Sequence, residues 1–121
     1  VVGTPAYMAP EQVTEGELSA STDLYALAAV VWEALTGLRL VRAEAVGSSF
    51  NEILNAAPSP PSLHRPSLPS EVDTLVLAAL AKEPGERPSD AEEWGRRLAA
   101  ALEVLPADGP GWSVAARPPE A

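Results

Sequence analysis

Residues able to do chemistry are few in this chain, and their spacing narrows what they can do. There is no cysteine and one histidine, His64, which excludes thiolate zinc sites, Cys nucleophiles and disulfide frameworks. His64 stands in the stretch APSPPSLHRPSLP (57–69) without paired carboxylates beside it. Neither a metal site nor a catalytic triad is expected there, and it reads as exposed. The densest acidic group, Glu83, Glu86, Asp90, Glu92 and Glu93, lacks the Asp-x-Asp-x-Asp-Gly spacing of a calcium loop and reads as solvated helix ends. Taken one at a time, Asp23 is a carboxylate favoured by a helix dipole, Thr4 a turn residue, and Glu11 and Arg87 solvated charges.

The elements that must position such residues are bounded by length and composition. With 121 residues the chain has room for one domain and one core. Its apolar fraction is 46%, but so much of it is alanine that large core side chains are fewer than that suggests. The formal charge of −9 is spread from Glu11 to Glu120 without a basic block. That argues against a nucleic-acid partner and against an anionic membrane surface, both of which need clustered Lys and Arg. The longest weakly charged run, Leu24 to Leu40, contains Glu33 and Arg39. It falls short of the roughly 20 apolar residues of a membrane span and reads as a buried helix, so no membrane contact is visible. The lack of cysteine fits a reducing cytosol, and a cytoplasmic location is expected, with a membrane anchor elsewhere in a longer parent left open. The start, Val1-Val2-Gly3, has neither an initiator Met nor a basic stretch ahead of an apolar one. No signal peptide is visible, and the chain is expected to be cut from something longer.

Three segments with helical periodicity open on a Ser-x-x-acid spacing, Ser49 with Glu52, Ser70 with Asp73 and Ser89 with Glu92, a device that satisfies free N–H groups at a helix start. The first helix is predicted over about 50–56, with Phe50, Ile53 and Leu54 on one face, and the second over about 71–82, with Val72, Leu75, Val76, Ala79 and Leu80 at helical spacing. The third, over about 90–105, sets Trp94, Leu98, Ala101, Leu102 and Leu105 against Glu92, Glu93, Arg96, Arg97 and Glu103, the pattern of a helix lying on a domain surface. The segment over about 23–36 differs, because Leu24, Tyr25, Leu27, Val30, Val31, Trp32 and Leu35 cover nearly every face. It belongs in the middle of a domain, with Gly37 set to end it in a left-handed cap. Trp32 and Trp94 read as core. Residues 57–69 read as loop and 106–121 as a flexible Pro/Gly-rich tail or linker. No strand able to anchor a sheet and no internal repeat is evident.

The opening Gly3-Thr4-Pro5-Ala6-Tyr7-Met8-Ala9-Pro10-Glu11-Gln12 resembles the end of the activation segment of serine/threonine protein kinases, with their Ala-Pro-Glu motif. A lone Ala-Pro-Glu says little, but the longer string is specific and further matches follow in order and at fitting distances. Thr22-Asp23-Leu24-Tyr25-Ala26-Leu27 is similar to the start of the kinase central helix, and Trp32-Glu33-Ala34-Leu35-Thr36-Gly37 to its end. Leu80-Ala81-Lys82-Glu83-Pro84-Gly85-Glu86-Arg87-Pro88 resembles the Lys-x-Pro-x-x-Arg-Pro stretch before the last helix. The resemblance covers about Val1 to Leu105, and Gln12 gives it a bacterial look. It implies a mainly α fold, a partial protein-kinase-like C-lobe over 1–105 made of the end of the activation segment and the lower helices, with no complete sheet. Two departures stand out. Ala26-Leu27-Ala28 replaces a frequent Ser-x-Gly, a change that favours helix. Leu38-Arg39-Leu40-Val41 replaces a usual Pro-Phe and bears on substrate docking around the following loop.

The resemblance also implies roles. Thr4 corresponds to the threonine that contacts the catalytic aspartate and lysine and helps favour Ser/Thr substrates. With Pro5, Ala6 and Tyr7 it belongs to the substrate (P+1) loop, which cradles the residue after the phosphorylated one. Asp23 corresponds to the aspartate that hydrogen-bonds the catalytic-loop backbone, and Glu11 with Arg87 to an ion pair tying the activation segment to the helical base. None of these transfers a proton or binds ATP. The phosphate-covering Gly-x-Gly-x-x-Gly, the His-Arg-Asp and the Asp-Phe-Gly are absent and would lie before Val1. The implied parent transfers the γ-phosphate of ATP, with Mg²⁺, to Ser or Thr of protein substrates. This chain would bind no cofactor or metal, supply substrate loop and scaffold, partner the missing N-terminal part of the kinase domain, and be inactive alone. The alternative is a noncatalytic, truncated kinase-like module that binds a partner kinase or regulator. An in-frame His-Arg-Asp and Asp-Phe-Gly upstream of Val1 would decide for the fragment.

Overall fold

The computed structural model describes residues 7–43 and 45–103. Among them every regular element is helical. Thr4, Pro5, Ala6 and the expected tail 106–121 lie outside the described residues.

A single turn, α1 (Pro10–Val13), opens with proline at its first position, where the missing N–H costs nothing and φ is already helical. The long α2 (Ala20–Thr36) follows. It starts at Ala20 rather than near Asp23, because Ser19 and Thr22 cap it reciprocally. Ser19 Oγ accepts the Ser21 N–H at 3.2 Å, and Thr22 Oγ1 accepts the Ser19 N–H at 3.1 Å. It ends as its sequence predicts, with Gly37 at φ 74° donating its N–H to Glu33 O at 2.8 Å. That left-handed conformation favours glycine.

After α2 come α3 (Val46–Asn55), the short α4 (Pro61–His64), α5 (Ser70–Ala79), a 3₁₀ turn at Pro84–Glu86 and α6 (Ala91–Leu102). The core lies where α2, α5 and α6 meet. Leu24, Tyr25, Ala28, Ala29, Trp32 and Leu35 pack with Val72, Leu75, Val76, Ala79 and Leu80, and with Trp94, Leu98 and Ala101. Full burial of each large side chain contributes about 1.5–3 kcal/mol relative to exposure. Both core indoles also satisfy their N–H. Trp94 Nε1 donates to Leu75 O at 2.7 Å and Trp32 Nε1 to Ser59 O at 2.8 Å.

The three serine caps predicted from spacing do not form. Ser49 sits inside α3, buried, and its hydroxyl donates to Ala43 O at 2.8 Å, while Glu52 reaches back to the N–H groups of Arg42 and Ala43. Ser70 is the first residue of α5 and follows Pro69. Asp73 is drawn away from its own helix to accept the Ser62 N–H at 2.9 Å and hydroxyl at 2.5 Å. Ser89 is displaced by its neighbour, since Asp90 accepts the Glu93 N–H at 3.0 Å and caps α6. The proline-rich stretch is not loop throughout. Proline at the first helical position lets 61–64 close one turn, whose Ser62 N–H is the one Asp73 takes.

Candidate functional site

Glu11 follows Pro10 in the first turn of α1 and is buried, 7% exposed. From the opposite end of the chain, the 3₁₀ turn at Pro84–Glu86 delivers Arg87, whose side chain is fully buried. Two parallel hydrogen bonds join them, Nη1 to Oε2 and Nη2 to Oε1, each 2.8 Å. The rest of the guanidinium fork is also occupied. Nε donates to Ala81 O at 2.8 Å, Nη1 to Ser21 O at 3.0 Å and Nη2 to Lys82 O at 3.3 Å. All the N–H donors that an arginine offers thus have an acceptor, which is the condition under which a buried pair holds together. The guanidinium carbon stands 4.9 Å from the centroid of the Tyr25 ring, a cation–π contact in a desolvated setting. On the carboxylate side, the Thr22 hydroxyl donates to Glu11 Oε2 at 2.6 Å. The Arg87 hydrogen bonds pull the Glu11 carboxyl down to about 2, with Thr22 helping and burial opposing.

One contact ahead of this clamp, the Tyr7 hydroxyl donates to Glu33 Oε1 at 2.7 Å, and the other oxygen of Glu33 accepts the Leu40 N–H at 3.0 Å. Glu33 therefore straps the segment before α1 to the end of α2 and the chain that leaves it. The same hydrogen bond raises the Tyr7 hydroxyl above its ordinary pKa. Sequence reasoning singled out Tyr7 but not Glu33 or Thr22. The signal for Thr22 was its spacing from Ser19, whereas nothing local marks Glu33.

Asp23 occupies the first turn of α2, exposed and without a partner among the described residues. Leu27, Val30 and Ala34 follow it at helical spacing, and all are exposed. Leu27 and Val30 are about half open to solvent, at 51% and 47%, so one stripe of a core helix has no cover here. The structure brings Glu11 and Arg87 together and leaves Asp23 apart from them on this open stripe. Among the described residues no three His, Cys, Asp or Glu side chains cluster as a metal would require, and no helix is long and apolar enough to cross a membrane.

A mainly helical assembly built round one central helix, with a glutamate after Ala-Pro clamped by a distant arginine, is the lower half of a protein kinase large lobe. The protein kinase domain family matches residues 1–98, and the chain belongs to that family. Its relatives are bacterial serine/threonine kinases. It is 39% identical over 104 residues to the serine/threonine-protein kinase PknH of Mycobacterium tuberculosis, covering 86% of this chain and 16% of that protein. It is 34% identical over 102 residues to pkn3 of Myxococcus xanthus, covering 83% of this chain and 19% of that protein. With PknB of Mycobacterium tuberculosis it shares 33% over 110 residues, covering 91% of this chain and 18% of that protein. The chain thus spans less than a fifth of the length of these relatives. Among solved structures it matches the autoinhibited serine kinase domain of titin with a TM-score of 0.73 and 25% identity, covering 87% of this chain and 33% of that one. The chain is a portion of a serine/threonine kinase domain, a partial C-lobe.

Proposed function

We propose that this chain is the substrate-loop and scaffold portion, over 1–105, of a serine/threonine kinase, with 106–121 a Pro/Gly-rich tail or linker. The parent transfers the γ-phosphate of ATP to Ser or Thr of protein substrates, and residues preceding Val1 in that parent hold ATP and Mg²⁺. Phosphoryl transfer works mainly by positioning and charge neutralisation. The part assigned to this chain is positioning. Thr4, Pro5, Ala6 and Tyr7 receive the substrate residue beside the phosphorylated one, and Asp23 holds the catalytic-loop backbone. Glu11 and Arg87 fix the loop's C-terminal anchor to the helical base.

The observation that carries this reading is the buried clamp at Glu11. Its two 2.8 Å bonds from Arg87 immobilise the residue only four positions after Tyr7, and the Tyr7 to Glu33 bond holds the intervening segment from the other side. The segment that follows the substrate loop is thus held at both points, and the loop's C-terminal end with it, which supports presentation of a peptide in one register. Purified chain incubated with ATP, Mg²⁺ and a generic protein substrate is expected to incorporate no phosphate. Reproducible ATP-dependent incorporation by the chain alone would contradict the assignment of nucleotide chemistry to preceding residues.

A further inference from the structure

Between the C-terminal part of α2, α3 and the proline-rich stretch lies a cavity of about 340 Å³, at the small end of the range that holds organic ligands. Trp32 and Ile53 give it apolar walls, and Tyr25, Arg42, Glu52, His64 and Lys82 give it polar ones. Most of those polar groups are already engaged. The Trp32 N–H is taken by Ser59 O, and His64 Nε2 stands 2.9 Å from the Ser59 hydroxyl. The Glu52 carboxylate accepts the Arg42 and Ala43 N–H groups at 2.9–3.1 Å.

Apart from the exposed Arg42, which gives its Nε to Arg39 O at 3.3 Å, two donors are left over. Lys82 gives one N–H to Ile53 O at 2.6 Å, at the last turn of α3, and has two more to offer. None of the ion pairs among the described residues includes it. Tyr25 is 2% exposed, with the Arg87 guanidinium over its ring, and its hydroxyl has no hydrogen-bond partner among the described residues. Both groups line the same cavity and keep hydrogen-bond donors that no acceptor among the described residues takes. An oxyanion in this cavity would find both donors on its walls.

We propose that this cavity binds a small carboxylic acid with an apolar body, the carboxylate received by Lys82 and Tyr25 and the hydrocarbon part lying against Trp32 and Ile53. Nothing in the phosphoryl-transfer reading needs this site, and it stands independently of that reading. Burial pushes the Lys82 ammonium below its ordinary pKa, with Glu52 pulling the other way and the Arg87 charge adding to the drop. A bound anion adds to the pull of Glu52, so affinity falls as pH rises through the titration of Lys82.

The probe is phenylacetate, titrated into the chain while the Trp32 indole N–H resonance is followed by NMR, with the neutral phenylacetamide as its isostere. A saturable shift with Kd of about 1 mM or tighter is expected for the acid, and binding at least about tenfold weaker for the amide. Tyr25→Phe keeps the ring under Arg87 and removes only the hydroxyl. It should weaken phenylacetate about tenfold and leave phenylacetamide unchanged. Lys82→Met should do the same, and because it also frees the Ile53 carbonyl, Tyr25→Phe is the variant that decides. No saturable shift, as for a cavity that holds only water, overturns the proposal. So does equal binding of acid and amide, or unchanged phenylacetate affinity in Tyr25→Phe.

Discussion

Arg87 grips Glu11 end-on, each terminal nitrogen 2.8 Å from a different oxygen of the same carboxylate, across 76 residues of sequence. The planar fork makes this geometry available to arginine and not to lysine. Because the pair is buried, removing either partner leaves a charge without compensation, at a cost of about 3–5 kcal/mol. Arg87→Ala and Glu11→Ala should each lower the urea midpoint by a similar amount, and the double variant should lose much less than their sum. Arg87→Lys should also be clearly damaging. Simple addition of the two single losses would show that the groups do not act as a pair.

The clamp predicts a pH dependence with a definite sign. Glu11 is depressed from 4.5 to about 2 in the folded chain, so the unfolded state takes up its proton first as the solution is acidified. The stabilisation is fully present above the unfolded value and is lost as pH falls through the folded one. Its size is up to ~3 kcal/mol. Compared with the wild type, Glu11→Gln should show a flatter stability profile between about pH 5 and pH 2. Parallel profiles for the two proteins would remove Glu11 as the source.

A second pair of substitutions separates real polar contacts from apparent ones. Asp73 accepts both the N–H and the hydroxyl of Ser62, so Asp73→Ala strands a helix-start N–H and should cost about 1–3 kcal/mol. Ser70 makes no capping bond from its side chain, and Ser70→Ala should fall within about 0.5 kcal/mol of the wild type. Thermal melts of both variants check this, and a larger loss in Ser70→Ala than in Asp73→Ala would contradict it.

Those same residues show where the sequence was legible. The fold class and the meeting of Glu11 with Arg87 could be read from ordered motifs, and the end of α2 from one glycine whose φ of 74° few other residues tolerate. The core faces of α5 and α6 followed from periodicity, because burial repeats with the helix. The caps did not follow, because Ser-x-x-acid is a local pattern while the acid is free to choose a distant donor. Glu52 turns back to Arg42 and Ala43, and Asp73 crosses to Ser62. The Tyr7 to Glu33 bond spans 26 residues, and no spacing rule connects them. Lys82 lies within a recognised motif, yet its bond to the end of α3 crosses 29 residues, which no spacing rule connects.

The open stripe of α2 predicts behaviour in solution. Leu27 and Val30 lie on a helix whose other faces are buried, and exposed apolar surface of this kind drives association. The isolated chain should bind a hydrophobic dye and self-associate. Leu27→Glu with Val30→Glu should reduce both without loss of helical circular dichroism. A wild-type chain that is monomeric and dye-silent would mean that the stripe needs no cover.

The most direct measurement is to exchange the corresponding C-terminal portion of the PknB kinase domain for this chain and to follow ATP-dependent phosphorylation of a protein substrate. A working substrate loop and scaffold should keep kcat/KM within about tenfold of the unexchanged enzyme, and Arg87→Ala in the chimera should cause a further large loss. A chimera that folds cooperatively yet transfers no phosphate would contradict the account.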